Sequence, residues 1–289
     1  MLPWWSKIGA KLVLSKLPVS YACWSSRFKI FRHGHMDEPR YALEVYARHF
    51  SYCRPPPGFT CLELGPGDSL ATAILTRAFG GAGSYLVDVG NYASQDLTLY
   101  RELSRIALQS GLRAPDLSRV ETVEEMLQLC NANYLTEGLS SMQALPPASV
   151  DFVFSQSCLE HIRLSTFEPT IQELRRLISP RGCCSHRVDL MDHLDHDLNN
   201  LRFPHRVWES DVVATSGFYT NRIRYTEMLD LFRRAGFAVE VTERKPFPKP
   251  RLKRSRLNER FRVFNDNDLD VAVFSVRCRP AQAFSLAAS

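Results

Sequence analysis

Residues 59–88 constrain this chain more than any other stretch. An apolar strand pattern from Phe59 to Leu64 runs into the turn Gly65-Pro-Gly67, and apolar residues then recur at the helical spacing Leu70, Ala73, Ile74 and Ala78. The run Gly83-Ser-Tyr-Leu-Val-Asp88 follows, a second buried strand that ends in a carboxylate. Strand, glycine turn, helix, strand and acid in that order form the unit that binds a nucleoside. Glycine lets the backbone approach the ligand, and the acid accepts hydrogen bonds from the two ribose hydroxyls. A Gly-x-Gly alone is an ordinary turn; both strands and the acid in register make it a nucleoside site.

Two departures select the cofactor. The dinucleotide fingerprint needs a third glycine, and Ser69 or Leu70 stands in its place. Glu63 also lies two residues before the first glycine, where a carboxylate repels a pyrophosphate and attracts the ammonium of a methionine moiety. The favoured cofactor is therefore S-adenosylmethionine and not NAD.

On these residues the chain resembles the class I S-adenosylmethionine-dependent methyltransferases, in particular their type 11 group. Glu63-Leu-Gly65-Pro-Gly67 is similar to the first motif of that family, Asp88 to its ribose-binding acid and Val89 to the residue beside it. Ser141-Met142-Gln-Ala-Leu145-Pro146 resembles the adenine-side loop, with a serine where the family usually has an acid. Ser149 to Ser155 resembles the fourth strand, Cys158-Leu-Glu160-His161 the helix start after it, and Glu173 to Gly182 the helix and turn leading to strand five. The resemblance spans residues 59–243. It implies an α/β, Rossmann-like sheet of seven strands in the order 3-2-1-4-5-7-6, with strand seven antiparallel and helices on both faces. It also implies cofactor contacts from Glu63, Gly65, Gly67, Asp88, Val89, Ser141, Met142 and Ser155. More loosely, the whole chain is similar to methyltransferases found alongside surface-polysaccharide biosynthesis.

The alternation of patterns agrees with that sheet. Strands read at 59–64, 83–88, 133–137, 150–155 and 183–190, and helices at 69–79, 94–110, 122–130 and 166–178. A helix over 224–236 closes on Gly236, strand six follows from Phe237 to Thr242, and strand seven runs from Leu269 to Arg277. Residues 1–58 read as a helical extension with a helix from Pro39 to Phe50, and Pro55-Pro-Pro-Gly58 links it to the catalytic domain over 59–289. Within the extension, residues 2–17 carry Trp4 and Trp5 among lysines. Such an amphipathic helix suits either a bilayer interface or packing onto the domain.

With 289 residues, 45% of them apolar, the chain is long enough for a full core. Eight cysteines without paired C-x-x-C clusters and without a secretory leader point to a reducing, cytoplasmic setting, with peripheral membrane contact compatible. No apolar run is long enough to span a bilayer.

Acceptor chemistry is expected at the end of strand five. Residues 185–197 hold His186, His193 and His196 with Asp189, Asp192, Asp195 and Asp197. Histidine is the usual base near neutral pH, so His193 and His186, oriented by Asp192, are the candidate catalytic residues. A divalent cation on Asp189, Asp192 and His193, or a plain polar loop, are the competing readings; no resident metal is expected. His161 opens the helix after strand four beside Glu160. Ubiquinone-pathway O-methyltransferases have a Glu-x-x-Glu-His metal motif there, but Ser157 replaces its first glutamate. His161, Asp189, Asn200, Arg202, Tyr219, Asn221 and Arg222 are the acceptor-binding candidates, and residues 190–222 form an acceptor-side insertion. Residues 245–262 hold eight lysines or arginines against Glu259, a basic segment that suits an anionic or lipid-linked partner. It lacks the interleaved aromatics of a single-strand nucleic-acid groove. The expected activity is methylation, at oxygen, of a small or carbohydrate-like acceptor. A cofactor-binding partner or regulatory module without turnover is the alternative.

Overall fold

A computed structural model describes residues 35–249 and 251–281. The amphipathic pattern at 2–17 lies outside the described residues, as does most of the segment before Pro39.

Seven strands form one sheet in the order β3-β2-β1-β4-β5-β7-β6. They are β1 (Thr60–Leu64), β2 (Gly83–Val87), β3 (Ala132–Leu135), β4 (Val150–Gln156), β5 (Ile178–Asp189), β6 (Phe237–Pro246) and β7 (Val271–Pro280). Strand β7 is antiparallel to both β5 and β6, so β6 runs in the same direction as β1–β5. Order and directions match the expectation. The connections leaving β5 and β6 therefore both emerge at the carboxyl end of the sheet, where ligands bind in open α/β folds.

Strand alternation divides the core between two faces. On one, Cys61, Phe152 and Phe154 meet α1 (Pro39–Cys53), α2 (Ala71–Ala78) and α3 (Leu97–Gln109). Pro39 starts α1 where its missing N–H costs nothing, and Ala42, Val45, Tyr46, His49 and Cys53 form its buried stripe. Tyr46 stands edge-on to Phe152 and Phe154 with centroids at 5.8 and 5.6 Å. On the other face, Leu62, Val153, Val188 and Val276 pack with Phe167, Ile171 and Leu174 of α6 (Leu164–Leu177) and with Met228 and Phe232 of α9 (Tyr225–Arg234). Two short helices, α4 (Val123–Leu129) and α5 (Leu139–Gln143), flank β3.

Strand β5 starts five residues before its expected position at 183. A turn was expected over 180–182, but the chain leaves α6 already extended, and Ile178 pairs with Val150 across an irregularity in the ladder. Asp151 holds this stretch by accepting from Ser179 Oγ at 2.8 Å and from the Thr60 amide at 3.1 Å.

Past β5 come α7 (His205–Trp208) and α8 (Asp211–Ala214); past β6 come α10 (Glu259–Arg262) and α11 (Asp266–Leu269). The buried Arg224 donates to the carbonyls of Asp268, Leu269 and Val271, while the Asp268 carboxylate takes the Thr226 amide and hydroxyl. This fully paired ionic cluster ties the start of α9 to the chain entering β7.

Candidate functional site

The glycine turn has the form the sequence asks for, with an added reason. Gly65 and Gly67 have φ of +76° and +61°, a region that favours glycine. At Gly65 a Cβ would lie 2.3 Å from Cys158 Sγ, so the thiol after β4 fills the space a side chain would need. Asp88 holds the turn from the other side. Its carboxylate accepts from the Gly67 amide at 2.9 Å and the Val89 amide at 2.7 Å, which fixes its orientation at the end of β2. Next to it Val89 is 77% exposed.

Glu63 sits beneath this turn, on the same face as Cys61, at 1% exposure. Its Oε2 is buried without a hydrogen-bond partner. Burial pushes its carboxyl up to about 8; the Thr72 hydroxyl opposes this and the nearby Asp88 charge adds to it. The Asp88 charge is thus near enough to act on Glu63. The Cys158 thiol lies near both, raised first by burial and then by Asp88, Glu160 and Glu63.

Three of the expected cofactor contacts are turned inward. Ser141 Oγ accepts the Glu137 amide at 3.0 Å, capping the turn before α5. Met142 is fully buried in the core. Ser155 bonds His186 Nδ1 at 2.8 Å. His186 is itself a core residue, stacked on Phe232 at 5.4 Å, and burial drives its pKa down to about 3. An imidazole sealed between sheet and helix has no path to an acceptor, so His186 is corrected from candidate base to packing residue.

The loop over 190–222 is likewise fastened by residues expected to meet the acceptor. Asp192 is buried and accepts from the amides of Leu194, Asp195 and Asn199 at 2.9, 2.6 and 2.6 Å, and from Asn199 Nδ2. That Asx-type cap occupies its carboxylate with the backbone of its own loop. Asn200 Nδ2 donates to Thr220 Oγ1, and Arg202 to Asn199 Oδ1. Arg222 is buried, with φ of +61°, and donates to the carbonyls of Asn200 and Phe203. Its guanidinium lies 5.4 Å from the Trp208 ring centre and 5.2 Å from that of Phe261. Desolvation lowers its pKa to about 10. Asp189 takes the Met191 amide on its carboxylate and gives its own amide to Glu160 Oε1.

Two histidines meet at the carboxyl end of the sheet. His161 Nε2 and His193 Nε2 are 3.2 Å apart, with the rings 4.9 Å between centroids and 13° from parallel. His161 Nδ1 lies 3.0 Å from the Tyr219 carbonyl, so Nδ1 carries the proton and donates. Asn221 secures the same turn: its amide donates to the Glu160 carbonyl at 2.7 Å, and its Nδ2 to those of Leu159 and Ile162 at 2.8 and 3.0 Å. The Tyr219 hydroxyl accepts the Leu164 amide and donates to Glu209.

Residues 62–185 match the model of the methyltransferase domain family. Those residues form a methyltransferase domain. No curated protein matches the sequence. Among solved structures, the chain is similar to a putative methyltransferase bound to the Trm112 activator of Haloferax volcanii, at 16% identity and TM-score 0.44, covering 91% of this chain and 96% of that one. It is also similar to a putative O-methyltransferase of Nostoc punctiforme, at 11% identity and TM-score 0.48, covering 95% and 68%. A third is phosphoethanolamine N-methyltransferase 2 of Haemonchus contortus in complex with S-adenosylmethionine, at 15% identity and TM-score 0.49, covering 91% and 60%.

The residues of the methyltransferase domain fit its cofactor. The orphaned Glu63 Oε2 lacks a donor that an ammonium would supply, and the Asp88 carboxylate is held in place by the Gly67 and Val89 amides. When bound, S-adenosylmethionine supplies an electrophilic methyl on a sulfonium. Two further residues lie near Asp88. Cys158, read from the sequence only as part of the helix start after strand four, fills the space beside Gly65. Tyr92 folds back over Gly90, where a Cβ would lie 2.7 Å from its ring, and its pKa is raised by burial and then by Asp88.

Proposed function

We propose that this chain methylates a hydroxyl of a small or carbohydrate-like acceptor by in-line transfer, with His193 as general base and His161 as its partner. The carrying observation is the imidazole pair at 3.2 Å with the Tyr219 carbonyl behind it. Because His161 donates from Nδ1, its Nε2 accepts from His193 Nε2–H, and the lone pair of His193 then resides on Nδ1. A hydroxyl proton taken there creates a cation whose charge the two rings and the carbonyl share. In-line transfer needs the acceptor oxygen held close to the methyl and collinear with the leaving sulfur, so positioning supplies most of the acceleration. The acceptor is lipid-linked or otherwise anionic, in keeping with the basic connection after β6, and the working site is the cytoplasmic side of a membrane.

Labelled S-adenosylmethionine, incubated with glycans and small molecules from a cell extract, tests the reading. His193→Ala should slow transfer about a hundredfold. The double change with His161→Ala should cost little more, since the pair acts as a unit. A chelator should leave the rate intact. Near-normal turnover by His193→Ala refutes the base assignment, and cofactor binding without any transferred label identifies a non-catalytic module.

A further inference from the structure

The eight cations of residues 245–262 are not equivalent in the fold. Lys245 pairs with Glu243, Arg251 with Asp266 and Asp270, and Arg254 with Asp266. Acids from neighbouring elements, invisible in the local sequence, thus neutralise the part of the segment nearest the sheet. Lys253, Arg256, Arg260 and Arg262 are exposed, as is Arg206 on α7, and among the described residues none of these five has a carboxylate partner within ion-pair distance.

These cations share one layer. The Asn258 amide donates to the Leu201 carbonyl at 2.9 Å, and the Leu252 amide to Asp197 at 2.8 Å. Leu198 and Leu201 pack with Leu257, Phe261 and Leu269. Arg260 reaches His205 at 3.3 Å, which sets α10 beside α7. The connections after β5 and β6 therefore form a single lid over the carboxyl end of the sheet. Three apolar side chains stand out of it: Val263 at 80%, Val212 at 50% and Val207 at 42% exposure.

We propose that this layer docks the protein on an anionic membrane surface, with the unpaired cations against lipid headgroups and Val263 entering the interface. Charge complementarity commits the surface to that partner. The cations are spread over several short helices and do not converge on a pocket, which suits a plane of headgroups better than a single phosphate. The layer's aromatics are covered: Trp208 and Phe261 are buried and Phe203 and Phe264 half-buried, so no ring is presented for stacking on nucleic-acid bases. The proposal rests on the reading that acceptors enter at this end of the sheet, and docking would bring that end to lipid-linked acceptors.

Co-sedimentation of the full chain with vesicles tests it. Wild type should bind vesicles containing phosphatidylglycerol, release them in high salt and ignore pure phosphatidylcholine. Arg256→Glu with Arg260→Glu should lower partitioning by at least about twentyfold. Val263→Asp should weaken it with every cation retained, and the distant Arg105→Glu should leave it unchanged. Equal binding to neutral and anionic vesicles, wild-type binding by both layer variants, or displacement of anionic vesicles by single-stranded RNA overturns the proposal. S-adenosylhomocysteine affinity, measured separately on each variant, reports on the cofactor site alone, so its loss would count against methyl transfer and not against docking.

Discussion

Glu63 should make cofactor binding depend on pH in a way that few buried carboxylates would. Burial holds its carboxyl near 8 in the ligand-free protein, so at pH 7 about nine in ten molecules carry it protonated. The methionine ammonium favours the ionised form, and an opposite charge in contact lowers a carboxyl by about 1–3 units. Taking about two units, the bound value falls near 6. Binding at pH 7 then expels about 0.8 proton, and affinity rises about twenty-five-fold, or ~1.9 kcal/mol, between roughly pH 6 and pH 8. Titration calorimetry with S-adenosylhomocysteine at several pH values, each in two buffers of different ionisation enthalpy, measures both quantities. Glu63→Gln keeps the shape and removes the titration; its profile should be flat, with the largest loss at the alkaline end. The same shift has a folding consequence. A carboxyl raised in the folded state stabilises fully below its unfolded value of about 4.5, and that contribution is lost as pH rises through about 8. A dissociation constant that stays level from pH 6 to pH 8, with no buffer dependence of the enthalpy, refutes the placement of Glu63 against an ammonium.

Two further outcomes follow from the packing. Gly65→Ala should cost about 2–4 kcal/mol in chemical denaturation, because it combines a disfavoured φ with overlap on Cys158, and adding Cys158→Gly should return part of that loss; a cost below about 1 kcal/mol would mean the thiol does not lie against the turn. Asp192→Ala should remove about 2–3 kcal/mol of stability by stranding the amides it caps, while S-adenosylhomocysteine affinity stays within about twofold; a drop in affinity without a drop in stability would return Asp192 to the binding site.

What the sequence made legible was the part governed by short-range pattern. Gly65, Gly67 and Asp88 fall where the turn and second strand require; the strand order is the one that the family resemblance implied, and alternation alone gave only a layered α/β sheet. The side chains near strand five were harder to place, because period-two alternation assigns a face but not what covers it. His186 looked like a base until Phe232, from a helix more than forty residues later, closed over it. Asn200, Asn221 and Arg222 were expected to meet the acceptor, yet the Thr220 hydroxyl, the carbonyls of Leu159 and Ile162, and the Phe203 carbonyl claim them, while amides of its own loop claim Asp192. His161 was expected at the acceptor side, but nothing in the sequence pairs it with His193, which the fold brings to it across thirty-two positions. Cations in 245–262 were overcounted for a similar reason, since Asp266 and Asp270 lie just beyond the stretch that was read.

The guanidinium of Arg222, wedged between Trp208 and Phe261, has a bearing on engineering. It is the rivet that joins two separate crossovers, one rooted in β5 and the other in β6. Transplanting residues 190–222 from another enzyme to alter acceptor choice would leave Phe261 facing a gap and strand its neighbours in α10. A workable chimera must carry both crossovers together, as one exchangeable module.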